Sequence, residues 1–285
     1  MNILIDNLFL QTGAQKETFV ESAKATGHQV CVSEYVRNIK SFEHWIPRRQ
    51  EYIVYGSIQF VEDALREFPQ AMAFYNTRMF NCSYFMSYLP AGMFVNHDAE
   101  FFPVGFLRNI RAARLHYRQS CTSEHESYFL RSDSGRKLFA GKPMKLKDLH
   151  SFDAESLSED SFVMMSTIKS IGTECRYFIY NNTIVSSCPT HMNARLVERN
   201  LDLGSQLTYA MDKFAQRVAG MVHDLGFMDK IYVCDIATYR ECGSSQENIG
   251  IMEFNAASTS DMHYCDITKV FNAMIDCIEK ENGCD

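Results

Sequence analysis

The residues best equipped for chemistry sit late in the chain, on two apolar segments. In IYVCDIA (231–237) side chains alternate along a strand, so Ile231, Val233 and Asp235 share one face. In IGIMEFNA (249–256) the same alternation puts Ile249, Ile251, Glu253 and Asn255 together. An acid at the end of an apolar face is costly to bury unless it is neutralised or binds a cation. If the two strands pair antiparallel, Asp235, Glu253 and Asn255 form a compact set of hard oxygen ligands. Such a set suits Mg²⁺, which is held by one or two carboxylates while substrate phosphates complete its shell. One such acid alone would more simply mark a strand end at the solvent. Three converging groups on neighbouring strands favour the metal.

A second segment carries positive charge. In YFLRSDSGRKLFAGK (128–142), Arg131 ends an apolar strand, Ser132–Gly135 is turn-forming, and Arg136 and Lys137 follow. A strand–turn–strand flap with these cations would clamp a polyphosphate, Arg through bidentate contacts and Lys as a mobile point charge. Taken alone, the segment fits a solvated hairpin tip equally well, and it is no P-loop, because GxxxxGK[ST] is absent. The third segment is Glu174-Cys175-Arg176-Tyr177-Phe178, where Glu174, Arg176 and Phe178 share a strand face. In isolation it reads as a structural Glu/Arg ion pair.

Two kinds of architecture must position these groups. In the first hundred residues strands alternate with helices: Asn2–Ile5, helix Glu17–Ala25 stopped by Gly27, Gln29–Val32, Tyr52–Tyr55, then helix Ile58–Phe68 with Ser57 as its N-cap. That order predicts a small parallel α/β sheet. The rest reads as α+β. Ser127–Arg131, Phe162–Thr167, Glu174–Tyr180, Thr183–Ser187, Lys230–Ala237 and Asn248–Asn255 are strand segments, and Asn181-Asn182 signals a two-residue hairpin. A helix over Ser205–Leu225 presents Leu207, Met211, Phe214, Val218, Met221 and Leu225, and Gly226 ends it. A last helix begins at the N-cap Asp266 and shows Val270, Met274 and Ile278 along one face.

Composition narrows the function classes. The 285 residues hold 28 Lys+Arg against 35 Asp+Glu, a net charge of −7 that excludes a globally basic nucleic-acid coat. No apolar run is long enough to span a membrane. The start MNILIDNLFL carries an acid where a secretory leader carries positive charge. The 10 cysteines are scattered without a CxxC pair or metal-like spacing. A reducing cytoplasm is the compartment these features lead us to expect.

In this order, FLRSDSGRKLFAG (129–141), MMSTIKSIGTECRYFI (164–179), VCDIA (233–237) and MEFNAAS (252–258) resemble the ATP-grasp superfamily. The match is closest to a clade of phages and bacteria in which Arg replaces the first phosphate-binding Lys, here at Arg131. The resemblance covers roughly residues 125–275. It implies two α+β subdomains sandwiching ATP, preceded by a small α/β domain. The expected division is 1–100 and 101–285, with a lid over about 122–168 and a C-terminal subdomain over about 169–285. Carried over position by position, Arg131 and Lys137 hold ATP phosphates from the lid. The hinge around Met164–Ser166, including Met165 and Ser166, meets adenine through its backbone. Glu174 and Arg176 face ribose or the transferring phosphate, and Asp235, Glu253 and Asn255 hold Mg²⁺. Arg131, Lys137 and Arg176 are thereby the catalytic cations.

The resemblance further implies an ATP-dependent carboxylate–amine (or carboxylate–thiol) ligase. ATP phosphorylates a carboxylate on a small molecule or peptide, and a nucleophile attacks the acyl phosphate. Two other readings stay open: a non-catalytic nucleotide-binding module, and a modifier of nucleic acid or tRNA. The latter would use Arg108, Arg111, Arg114 and Arg118, which form a stripe if FLRNIRAARLHYRQS is helical. A solvated helix face explains that stripe slightly better. His191 after the hairpin reads as a structural histidine that is also placed to touch the acceptor, and His97 beside Asp98 reads as a polar loop.

Overall fold

The computed structural model of the protein describes residues 1–10, 14–33, 46–47, 49–109, 127–145, 148–149, 157–193, 195–197 and 203–282. Arg111, Arg114 and Arg118 of the arginine stripe lie outside them.

The N-terminal elements are β1 (Asn2–Asp6), α1 (Ala14–Lys24), β2 (Gln29–Ser33), β3 (Tyr52–Tyr55), α2 (Ile58–Glu67) and β4 (Ala71–Met72). They form the expected parallel sheet, in the order β2-β1-β3-β4. Its strands read as near-continuous apolar runs because both faces are covered. Leu4, Tyr52 and Val54 pack on Phe60, Val61 and Ala64 of α2, while Ile3, Ile5, Ile53 and Tyr55 face the C-terminal helix. Ser57 does precede α2, yet its side chain makes no cap hydrogen bond. The hydroxyl donates instead to Asp6 Oδ2 at 2.7 Å, because β1 and β3 lie side by side and end together. Gly56 makes that approach possible: a Cβ there would stand 2.3 Å from the Asp6 Cβ.

After α3 (Cys82–Met86), strands β5 (Glu100–Pro103), β6 (Ser127–Ser132), β7 (Lys142–Lys145) and β8 (Phe162–Thr167) form an antiparallel sheet in the order β5-β8-β6-β7. Helix α4 (Val104–Arg108) covers it, with Val104 and Leu107 packing on Tyr128, Leu130, Val163 and Met165. This is the flap unit, and it takes in β5 from the segment ahead of the arginine stripe.

The third sheet consists of β9 (Ser170–Tyr180), β10 (Thr183–Met192), β11 (Arg195–Leu196), β12 (Ile231–Arg240) and β13 (Asn248–Ala256), in the order β11-β10-β9-β12-β13. The Asn181-Asn182 turn joins β9 to β10, with Tyr180 opposite Thr183 and Asn181 at φ 53°. One face packs on α5 (Ser205–Leu225), whose buried stripe is Met211, Ala215, Val218, Ala219 and Val222. The stripe is centred nearer the small residues than the bulky ones, and Leu225, expected on it, is 50% exposed as the last residue of the helix. Gly226 ends this helix at φ 62°. The other face packs on α6 (Ile267–Asn282) through Phe178, Ile231, Val233, Val270, Phe271 and Met274. Asp266 caps α6, its Oδ1 accepting from Lys269 N at 3.0 Å.

One expected alternation is broken. Val233 pairs with Asn255 and Asp235 with Glu253, but Ile236 pairs with Ile251, so Met252 is an extra residue in β13. Glu253 and Asn255 therefore do not share a face with Ile249 and Ile251. The two isoleucines and Phe254 pack toward α5, and the polar pair turns to the other side. The bend begins at Gly250, where a Cβ would lie 2.9 Å from Val95 N; Val95 N donates to Ile251 O at 3.0 Å.

Candidate active site

The sheet face that bears α6 changes polarity partway along its strands. Phe178, Ile231 and Val233 are sealed beneath α6, and the next positions on that face are Arg176, Asp235 and Glu253. Beyond the end of the helix these groups are covered by the flap.

Arg176 stands opposite Asp235 in register and grips it with both arms, Nε to Oδ1 at 2.8 Å and Nη2 to Oδ2 at 2.7 Å. Its third arm, Nη1, donates to Asp261 O at 2.7 Å. Sequence spacing pointed to Glu174 as the partner of Arg176, whereas the ion pair forms with Asp235. Strand pairing aligns the guanidinium with the carboxylate across the ladder, a better bidentate geometry than two residues along one strand. The Asn255 amide donates to Asp235 Oδ2 at 3.0 Å and to Glu253 Oε1 at 2.9 Å, drawing the two carboxylates to one point.

The flap cations arrive at the same place. Arg131 Nη2 donates to Glu253 Oε2 at 2.7 Å and Lys137 Nζ to Glu253 Oε1 at 2.8 Å. Burial would push the Glu253 carboxyl up, but the Lys137 and Arg131 charges outweigh it and hold Glu253 well below the usual carboxylate range. Lys137 takes a left-handed backbone, φ 50°, at the end of the turn. Among the described residues no Lys or Arg pairs directly with Glu174. Its desolvation, with the negative charges of Asp235 and Glu253, pushes its carboxyl up to about 7 against the pull of Arg176. Thr190 Oγ1 donates to Glu174 Oε1 at 3.2 Å, and His191 Nδ1 lies 3.5 Å from the same oxygen.

These groups border a cavity of about 500 Å³ between the flap and the sheet. Phe129, Phe139 and Met252 make its apolar wall, and Arg131, Lys137, Glu174, His191 and Glu253 its polar one. One wall suits a flat aromatic ring and the other a chain of phosphates, in a volume typical of small-molecule sites. The cavity thus reunites Arg131, Lys137 and Glu174, and Arg176, Asp235 and Asn255 adjoin it through Glu253.

Met165 and Ser166 are placed differently. Strand β8 runs between β5 and β6, with Met165 opposite both Glu100 and Leu130, so its backbone groups serve the ladder. Its side chain fills the flap core, and Ser166 Oγ donates to Asn96 Oδ1 at 3.0 Å. The segment that the resemblance gives as the hinge is the later part of β8, a few residues ahead of the start of β9. His97 and Asp98 also serve structure: His97 Nε2 lies 2.8 Å from Glu241 Oε1, and Asp98 accepts from Thr167 and Lys169. Arg108, the described member of the stripe, pairs with Glu159.

The tie-down of the flap was not read from the sequence. Asp133 Oδ1 and Oδ2 accept from Ser83 N and Ser83 Oγ, each at 2.7 Å, and Gly135 N donates to Asn81 Oδ1 at 2.9 Å. Ser132–Gly135 signalled a turn, but its partners lie some fifty positions away, beyond any local signal. A Cβ on Gly135 would stand 2.5 Å from Thr77 O. We expect Gly135→Ala to lift this turn at a cost of about 1–3 kcal/mol, read as faster amide exchange over residues 132–137. Unchanged exchange would show that the contact does not hold the flap.

Glu174 gives a pH signature. Its carboxyl is raised in the folded state, from 4.5 to about 7, so the unfolded chain loses this proton first. The group's contribution to stability is full below the unfolded value and declines as pH rises toward about 7. Glu174→Gln should therefore gain on the parent protein across that window, by up to about 3 kcal/mol. Denaturant titrations at several pH values measure it, and parallel curves would contradict the assignment.

No family model matches the chain, and no curated protein matches it. Solved structures do. D-alanyl-alanine synthetase A from Vibrio cholerae aligns at TM-score 0.56 and 11% identity, over 98% of this chain and 97% of that one. The RimK domain protein ATP-grasp from Sphaerobacter thermophilus aligns at 0.55 and 11%, over 96% and 100%. The ATP-grasp ligase PsnB, complexed with a minimal precursor, aligns at 0.53 and 12%, over 97% and 99%. At such identities the likeness speaks for the backbone alone, and it extends over almost the whole chain: this protein has the ATP-grasp fold.

Proposed function

We propose that the protein is an ATP-dependent ligase that activates a carboxylate as an acyl phosphate and passes it to an amine or thiol. The observation that carries this reading is the meeting of Arg131 and Lys137 with Glu253 at one cavity, with Asp235 and Asn255 joined to Glu253 behind it. The structures it resembles add support, including PsnB complexed with Mg and ADP and a D-alanine–D-alanine ligase from Bacillus anthracis complexed with ATP.

The donor set fits a magnesium ion. It offers two carboxylates drawn to within hydrogen-bond reach of one amide, with oxygen as the ligand atom throughout. Asn255 now turns its amide nitrogen to both acids, so a half-turn of that amide would present its oxygen instead. Bound there, the ion would neutralise charge on the phosphates during transfer. Arg131 and Lys137, released from Glu253, would hold phosphate oxygens from the flap. Arg176 fixes Asp235 so that the carboxylate needs no reorganisation when a cation arrives. The seated flap excludes water from a hydrolysable intermediate. In this reading the flap sheet is the lid and the β9–β13 sheet its opposite jaw. The substrate is a small-molecule or peptide carboxylate.

ADP release measured with ATP, Mg²⁺ and pooled amino acids or peptides tests the proposal. We expect ADP only when carboxylate and nucleophile are both present, and AMP release would overturn it in favour of adenylation.

A further inference from the structure

We propose that Cys188 and Cys265 form a dithiol site that a hydroperoxide oxidises to a disulfide. The sulfurs lie 3.3 Å apart, in contact and in a shared apolar pocket beneath α6 with Phe178, Val233 and Met262. Cys188 belongs to β10, where it stands opposite Arg176, and Cys265 immediately precedes the cap of α6. The two are 77 positions apart, so the fold alone juxtaposes them.

Their surroundings make them unequal. Hydrogen bonding from the Cys265 thiol holds the Cys188 thiol below its usual range, with the Arg176 charge assisting and burial opposing. The same contact, with burial, drives the Cys265 thiol far up. Cys188, which stands opposite Arg176 and accepts from the Cys265 thiol, is the nucleophile, and Cys265 is the resolving thiol. The Cys188 thiol gives up its proton, its thiolate attacks the terminal oxygen of the hydroperoxide, the O–O bond breaks, and a sulfenic acid forms with an alkoxide that takes up the released proton. The Cys265 sulfur then attacks the Cys188 sulfur. The S–S bond forms, the S–O bond breaks, and the departing hydroxide takes the Cys265 proton to leave as water. The protein gives up two electrons and the hydroperoxide gains them, ending as an alcohol or, from hydrogen peroxide, as water. Both thiols are buried, 3% and 5% exposed, which favours a small uncharged oxidant.

The bond would matter to the cleft because Cys265 closes the segment whose Asp261 carbonyl receives Arg176. A disulfide ties that segment to β10 beside the same arginine. The site does not depend on the cleft taking a nucleotide.

The test uses full-length Cys242→Ser protein, which removes an exposed thiol. The native protein is treated with hydrogen peroxide, quenched with N-ethylmaleimide and digested without reduction. We expect a mass about 2 Da lower, one linked peptide pair containing Cys188 and Cys265, and recovery with dithiothreitol. Closing so long a loop should raise the thermal midpoint on the order of 5 °C. The link should vanish in Cys188→Ser and separately in Cys265→Ser. Unlinked peptides after treatment, a link through other cysteines, or a linked protein with a lower midpoint would each overturn the assignment.

Discussion

Arg176→Met lowers the unfolding free energy by about 3–5 kcal/mol, a fall of roughly 10 °C in the thermal midpoint. The reason lies in what is left behind. Asp235 is 1% exposed and takes both of its direct charge-assisted bonds from this guanidinium. Without it, a carboxylate stays buried beside Glu253 and Glu174, with one amide hydrogen from Asn255. Methionine fills similar volume, so the loss reports charge rather than a void. The Asp261 carbonyl also loses its donor. Adding Asp235→Leu should return most of the lost stability, because the pair is then replaced by apolar groups. Urea titrations of the single and double variants decide it. A single variant within about 1 kcal/mol of the parent would mean that water already reaches Asp235.

Glu253→Gln produces the largest effect on the proposed reaction, a loss of magnesium-dependent ADP formation of at least about 10²-fold. Glu253 is where flap and sheet meet, accepting from Arg131, Lys137 and Asn255 at once. Glutamine keeps the shape but removes the charge that a divalent cation needs, and it leaves the two flap cations without an anion. Arg131 is largely buried, so its unpaired charge also loosens the flap. Amide exchange over residues 128–142 should therefore rise in the same variant. Retained turnover with an unchanged flap would remove Glu253 from the account.

Much of this arrangement is legible in the residues. The parallel N-terminal sheet follows from apolar runs punctuated by Gly27 and Gly56, and α5 and α6 from their spacing and their ends at Gly226 and Asp266. Asp235 stands out because a carboxylate interrupts an otherwise apolar strand. What escaped the sequence depends on register and on distance along the chain. The extra residue at Met252 turns Glu253 and Asn255 away from Ile251. Gly250 was its single visible sign, a glycine inside a strand where another backbone closes in. Arg176 chose a partner across the ladder, which no spacing along β9 reveals. Met165, which the resemblance gave a backbone role, buries its side chain among Val104, Leu107 and Leu130, packing that no spacing along β8 reveals. Ser57 had the right type for a cap and was captured by Asp6 instead. In each case local chemistry named the residue correctly and a distant contact decided its job.

The central claim is that two carboxylates and an amide take a divalent cation while the flap cations take a triphosphate. Calorimetric titration of a non-hydrolysable ATP analogue, with and without Mg²⁺, tests it most directly on the parent protein and Glu253→Gln. The account predicts binding that tightens at least about tenfold with Mg²⁺ in the parent and loses that gain in the variant. Equal affinity with and without the metal, or a metal gain that survives Glu253→Gln, would contradict it.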